Sequence, residues 1–293
     1  MENIEKAVQY VLKKKEYQLE KLTHFYFTSN EDINSYISGN KSRAIIGLKL
    51  ERISNWQHWN FIYSFFKENK LDHYLLALST YYAIESITWD YFLGTTVEQY
   101  KESISFINAI KYLAQALLLG WDSIALKLGD VLLKMLYGKQ YKGWNSAYKH
   151  PWFMLSIFCK WQGIELDYTR LNFRKEMGVY EKAIQYWNTK DKTLLTEIVN
   201  EMVSFHILES DEDEYKNHIP DFPSSDYFVF LIDILLWLNI RERIGLPEYI
   251  PNNELMKMPI NNYNTLKIDV PKVELIEKAK MKLQTEYPNA NIL

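Results

Sequence analysis

Proline placement constrains this chain more than any other feature, because the pyrrolidine ring removes a backbone donor and clashes with the preceding helical turn. Of eight prolines in 293 residues, the first is Pro151 and the others fall at Pro220 or later. The first 219 residues can therefore run as long helices with almost no breakers. Apolar spacing agrees: Ile4, Val8, Val11, Leu19, Leu22 and Tyr26 keep the three-and-four rhythm of one helix face. Period-two alternation is scarce, and the Asn-Gly and Asp-Gly dipeptides of tight hairpins are missing. The expectation is an all-α fold.

The pattern predicts about ten helices, at 2–27, 41–68, 70–93, 102–119, 122–137, 150–163, 178–188, 191–209, 226–244 and 271–286. In "ALLLGWDSIALKLGDVLL", Gly120 stands where a left-handed C-terminal cap is needed and Asp122 where a side-chain oxygen can cap the next helix. So short a joint forces an antiparallel pair. "AIQYWNTKDKTLLTEIVNEM" repeats the scheme, with Asn188 or Thr189 ending one helix and Asp191 opening another. The expected architecture is stacked antiparallel helical hairpins in imperfect repeat, with an irregular Pro/Asn-rich C-terminal third. Residues 1–219 would form the hairpin body. Residues 220–293 would add helices and wrapping connectors to the same compact domain, with Leu246 to Pro271 lying over the body.

Hydrophobic residues make up 47% of the chain and aromatics 15%, the composition of a folded protein. A net charge of -3 argues against general nucleic-acid affinity, which needs a surplus of Lys and Arg. The one cysteine, Cys159, permits no intramolecular disulfide or Cys-based zinc cluster, and it reads as a small buried hydrophobe. "MENIEKAVQYVLKKK" lacks the apolar run of a secretory signal, and the expectation is a cytoplasmic protein. The apolar stretch "FVFLIDILLWLNI" at 228–240 is interrupted by Asp233 and falls short of the ~20 residues that span a bilayer. It reads as a buried helix.

The chemistry-bearing residues concentrate in "SFHILESDEDEYKNHIPDF", 204–222. His206 and Glu209 share a helix face, yet this single reversed pair does not make the repeated Glu-x-x-His set of a di-iron bundle. No metal or cofactor site is expected. Consecutive acids are most naturally solvated, which disfavours an acid/base centre. The sharper reading is a docking patch for a basic partner. Glu209, Asp211, Glu212, Asp213, Glu214, Asp221 and Asp226 supply charge opposed only by Lys216, and Tyr215, Phe222 and Tyr227 supply aromatic anchors. A secondary interface candidate is "YGKQYKGWNSAYKHPW", in which Tyr141, Trp144 and Tyr148 alternate with lysines at near-helical spacing. GxSxG, Walker and GxGxxG signatures do not occur, and no catalytic residue is expected.

The segment "FLIDILLWLNIRERIGLPEYIPNNELMKMPI", following a helix that carries "FH", resembles the all-α immunity proteins of bacterial polymorphic-toxin systems, in particular the immunity protein 49 type. In those families an apolar helix is likewise followed by an arginine and a Gly-Leu-Pro-like connector, here Arg241, Arg243, Gly245, Leu246 and Pro247. The resemblance implies a non-enzymatic inhibitor that binds and neutralises a cognate protein toxin, often a nuclease. An acidic patch would complement the basic groove of such a toxin. Two other readings stay open. "ERISNWQH" is similar to the Arg-x4-6-His motif of HEPN-type helical ribonucleases, through Arg52 and His58. Stacked helical pairs can also form a peptide-binding scaffold.

Overall fold

The computed structural model describes residues 2–96, 100, 103–138, 140–141, 148–171, 176–212 and 219–288. Among them the chain is all-α, with ten helices: α1 Glu2–Ile37, α2 Ile46–Glu68, α3 His73–Thr96, α4 Phe106–Leu118, α5 Asp122–Tyr137, α6 His150–Gln162, α7 Val179–Gln185, α8 Lys192–Leu208, α9 Ile232–Arg243 and α10 Glu274–Glu286. A single parallel bridge between Ser210 and Phe222 is the nearest approach to sheet structure among the described residues. None of the described helices is long and apolar enough to cross a membrane.

The helices form adjacent hairpins, as the short joints require: α2 packs on α3, α4 on α5 and α7 on α8. At the α4–α5 joint, Gly120 takes φ +85. Its N–H donates to the Leu117 carbonyl (3.0 Å) and that of Trp121 to the Ala116 carbonyl (2.9 Å), the paired bonds of a Schellman cap. Asp122 is the first residue of α5 rather than its cap, because Trp121 occupies that position. Asp191 does cap α8, accepting from the backbone N–H of Thr193 (2.8 Å) and Leu194 (3.2 Å).

Helix α1 runs ten residues past its expected end at residue 27. The stretch "TSNEDINSYI" looks like a loop because Ser, Thr and Asn compete for backbone hydrogen bonds. Here they bond back along the helix instead, Thr28 to His24 O, Asn30 to Tyr26 O and Asn34 to Asn30 O, while Ile33 and Tyr36 are buried.

The chain divides into two compact units rather than the expected single domain, and none of the three breaks falls at the change of texture at 219/220. Unit 1 comprises Met1–Lys15 and Gly143–Lys267; unit 2 comprises Glu16–Lys142 and Ile268–Leu293. Rising proline content marks a change of local texture, but burial decides the packing. Helix α9, deep in the proline-rich third, packs on α6 in unit 1 and is buried from Ile232 through Arg241. It begins at Ile232 rather than 226 because the Asn261 side chain takes the Leu231 N–H (3.0 Å) and donates to the carbonyls of Val229 (2.9 Å) and Leu255 (2.8 Å).

In unit 2, α3 is buried almost throughout, and its interior polar groups tie the neighbours in. Ser54 Oγ donates to the Ser79 carbonyl (2.7 Å), Thr80 Oγ1 to Gln115 (2.8 Å) and Ser86 Oγ to the Gly47 carbonyl (2.7 Å). The Gly47 contact requires a bare backbone, since a Cβ there would run into Asp90 Oδ1 and stand 2.9 Å from Ser103 Oγ. Gly47→Ala is therefore expected to lower stability by about 2 kcal/mol through overpacking, read as a reduced midpoint in urea. An unchanged midpoint would mean that Asp90 can swing aside without loss.

Candidate functional site

Helix α8 ends in a turn that sends its side chains two ways. His206 is fully buried, whereas Leu208 is 73% exposed. Glu209 then pins the returning chain: its carbonyl accepts from the Phe222 N–H (3.0 Å) and its carboxylate from the Asp221 N–H (3.1 Å). Asp211 is exposed. Glu212 accepts from Tyr10 Oη (2.8 Å) and Lys14 Nζ (2.9 Å). Burial would raise the Glu212 pKa, but hydrogen bonds from Ser225, Lys14 and Tyr10 and the Lys14 charge outweigh it and hold the carboxyl below its ordinary range. Beside this turn lies a groove of about 270 Å³ whose walls include Lys6, Tyr10, Ile207, Leu208, Asp211 and Phe228.

The expected docking patch is thus divided. Asp213, Glu214 and Tyr215 lie outside the described residues. Asp221, Phe222, Asp226 and Tyr227 are between 1% and 8% exposed, so they belong to the interior and not to a partner surface. The reason is a demand from distant chain. Helix α6 has no side-chain cap at Lys149 and carries Pro151 in its first turn. The Asp221 carboxylate supplies that cap, accepting from the backbone N–H of Lys149 and of His150 (3.0 Å) and lying 3.0 Å from His150 Nδ1.

Behind Asp221 the rings form a layered core. Phe222 lies between two imidazoles, stacked on His150 (centroids 4.6 Å apart) and tilted by 31° against His206 (3.7 Å). His206 Nε2 donates to the Tyr227 carbonyl (2.8 Å), since a carbonyl can only accept, and Nδ1 lies 3.3 Å from Asp233 Oδ1. Asp233 Oδ2 also accepts from Tyr180 Oη (2.8 Å). Burial pushes the Asp233 pKa up, but the His206 hydrogen bond and charge, the Tyr180 hydrogen bond and the His150 charge more than offset it, leaving the pKa below the usual value. Burial drives the Tyr180 phenol well above its ordinary value, with the charges of Asp233 and Asp221 acting in the same direction. His150, His206 and Asp233 are each 0% exposed, and the cluster works as an internal polar tie among α6, α7, α8 and α9. His206 and Glu209, the pair weighed as metal ligands, point to different jobs, one to Asp233 and the other to backbone.

The remaining candidates separate in the same way. Tyr141 is buried, with its hydroxyl donating to the Ile104 carbonyl (2.8 Å), and it belongs to unit 2; Tyr148 is half-buried beside His150 in unit 1. Trp144 lies outside the described residues. Since α5 ends at Tyr137 and α6 begins at His150, the supposed stripe is not one helix face. Arg52 holds its guanidinium 4.6 Å from the Phe25 ring centroid, and His58 is 2% exposed on the inner face of α2. Six residues apart on a helix, they stand ~120° apart around the axis. Cys159 is 2% exposed, and burial pushes its thiol up to about 12, the behaviour of a small hydrophobe. Sequence reasoning missed the Asp233 cluster, although a lone acid inside "FVFLIDILLWLNI" was a signal that a buried partner must exist. No protein-family model, curated protein or solved structure matches this chain.

Proposed function

We propose that this chain is a binding protein of the immunity type that neutralises a cognate basic bacterial toxin without catalysis, using the surface where α8 ends beside the first turns of α1. The observation that carries the reading is Leu208, a large apolar side chain 73% exposed, which lines the 270 Å³ groove together with the exposed acid Asp211. An exposed apolar anchor supplies contact energy once a partner covers it, and neighbouring acids steer a basic partner into place. The reading thus keeps the end of the expected 209–227 docking patch nearest α8 and drops the buried Asp221, Phe222, Asp226 and Tyr227 from it.

The test first asks whether a secreted toxin is encoded beside the gene for this chain, and a neighbourhood without one counts against the proposal; binding and neutralisation are then measured with that toxin. Asp211→Lys is expected to slow association several-fold and to flatten its salt dependence, because the change acts on the encounter step. Leu208→Ala is expected to speed dissociation about tenfold. Both residues are exposed, so thermal unfolding should not move. A toxin that is neutralised equally by both variants, or not neutralised by the native chain, defeats the proposal.

A further inference from the structure

At the C-terminal end of α9 the chain doubles back through a second Schellman cap. Gly245 takes φ +69, its N–H donates to the Glu242 carbonyl (3.0 Å), and the Leu246 N–H donates to the Arg241 carbonyl (3.0 Å). The reversal lays Leu246 and Pro247 opposite Leu238, and the buried rings of Tyr249 and Tyr263 complete the walls of a pocket of about 510 Å³. That volume falls in the range of small-molecule sites, roughly 300–1,000 Å³. Both tyrosine hydroxyls are already engaged, Tyr263 Oη with the Tyr249 carbonyl (2.7 Å) and Tyr249 Oη with Asn252 (3.2 Å), so the rings offer their apolar faces.

Arg241 also lines this pocket and is 2% exposed. Its Nη atoms donate to the carbonyls of Trp187 (3.0 Å) and Thr189 (2.8 Å), and the guanidinium carbon sits 5.7 Å from the Trp237 ring. Nε has no acceptor. Only carbonyl dipoles and a ring face meet the positive charge, for no carboxylate among the described residues pairs with it. Glu242 and Glu248 line the same pocket but are themselves exposed, and Glu242 accepts from the Thr265 N–H (3.3 Å). Burial lowers the Arg241 pKa to about 10, which still leaves it cationic at neutral pH. Two carbonyls would be held as well by a neutral donor. A buried cation without a counter-charge is expensive, and an anion in the adjoining cavity would relieve that cost.

We propose that this pocket binds a small organic oxyanion, a carboxylate or phosphate monoester on a flat apolar body, with Arg241 facing the oxyanion and Tyr249, Tyr263, Leu238 and Leu246 enclosing the body. Glu242 and Glu248 at the mouth repel polyanions such as a nucleic-acid backbone and leave room for a small guest that carries one or two charges. The site stands apart from the α8 surface and does not depend on the toxin reading.

The experiment is calorimetric titration of the full chain with naphthalene-2-carboxylate, 2-naphthyl phosphate and the neutral naphthalene-2-carboxamide. At least one of the two anions is expected to bind saturably with a Kd below about 1 mM, and the amide at least tenfold more weakly. Which anion binds identifies the source of the oxyanion. Leu246→Trp, at a half-exposed connector position, fills the cavity and should abolish binding without moving the thermal transition. Arg241→Met should abolish anion binding as well; if that variant fails to fold, Leu246→Trp carries the test. Absence of saturation, equal affinity for amide and acid, or binding that survives Leu246→Trp overturns the proposal.

Discussion

Asp233→Ala is expected to cost unit 1 about 3–5 kcal/mol, because it strips the partner from a buried imidazole and a buried phenol at once. Tyr180 Oη loses its acceptor at 2.8 Å, and His206 Nδ1 loses the carboxylate at 3.3 Å in a site that is 0% exposed. Neither group can turn to water. Asp233→Asn should cost less, since its carbonyl can still accept from Tyr180 while the charge facing His206 is gone. The same carboxylate sets an acid limit. Its folded pKa lies below its unfolded one, because the His206 and Tyr180 interactions outweigh burial. Its contribution is therefore complete above pH ~4 and lost as pH falls through the folded value. Urea unfolding followed by near-ultraviolet circular dichroism at pH 7 and pH 3.5 checks both points. A loss below about 1 kcal/mol at pH 7, or an acid slope as steep in Asp233→Ala as in the native chain, would contradict the assignment.

The helices were legible because their signals are local. Apolar rhythm, Gly120 and Asp191 fixed α5 at both ends, and α8 to within a residue, from the sequence alone. What failed to read were outcomes decided by distant partners. The polar end of α1 stays helical because Ile33 and Tyr36 find a core, and α9 starts late because Asn261, some thirty residues on, takes the Leu231 amide. The unit boundaries were hidden for the same reason. Residues 268–293 return to unit 2, where the Ile268 N–H donates to the Leu119 carbonyl (3.0 Å), its own carbonyl accepts from Trp121 Nε1 (2.6 Å), and Lys280 pairs with Glu85 (3.0 Å). Nothing near residue 268 encodes that docking.

The candidate site shows the limit from the other side. Seven acids close in sequence suggest one charged surface, but a carboxylate is equally the best cap for a helix that lacks one. Asp221 is drawn inward by α6, with Phe222 carried in beside it, whereas Asp211, nearer α8, stays exposed. Arg241 was hidden differently. A basic residue in the last turn of a helix is an ordinary favourable placement, and only the fold of the connector shows that this one faces a cavity.

The second large effect belongs to Asp90, which anchors the chain leading into α4. Its carboxylate accepts from Tyr100 Oη (2.7 Å), the Ser103 N–H (2.6 Å), Ser103 Oγ (3.1 Å) and the Ile104 N–H (3.3 Å). Asp90→Ala leaves those donors facing an apolar gap and is expected to cost about 3 kcal/mol at pH 5. The pH dependence should run opposite to that of Asp233. Burial pushes the Asp90 pKa to about 6 in spite of its hydrogen bonds, so the folded state holds the proton more tightly than the unfolded chain does. Stability from this group is complete below pH ~4 and declines as pH rises toward 6, by on the order of 3 kcal/mol. Glu51, raised to about 7 by burial against the opposing pull of Asn55 and Arg52, extends the decline in the same direction. The cost of Asp90→Ala should consequently shrink between pH 5 and pH 7, because the native chain weakens over that window while the variant lacks the Asp90 contribution. Urea midpoints by tryptophan fluorescence at pH 4.5, 5.5 and 7 measure it. A cost that grows with pH would mean that the ionised carboxylate gains more from its four donors than it loses to burial.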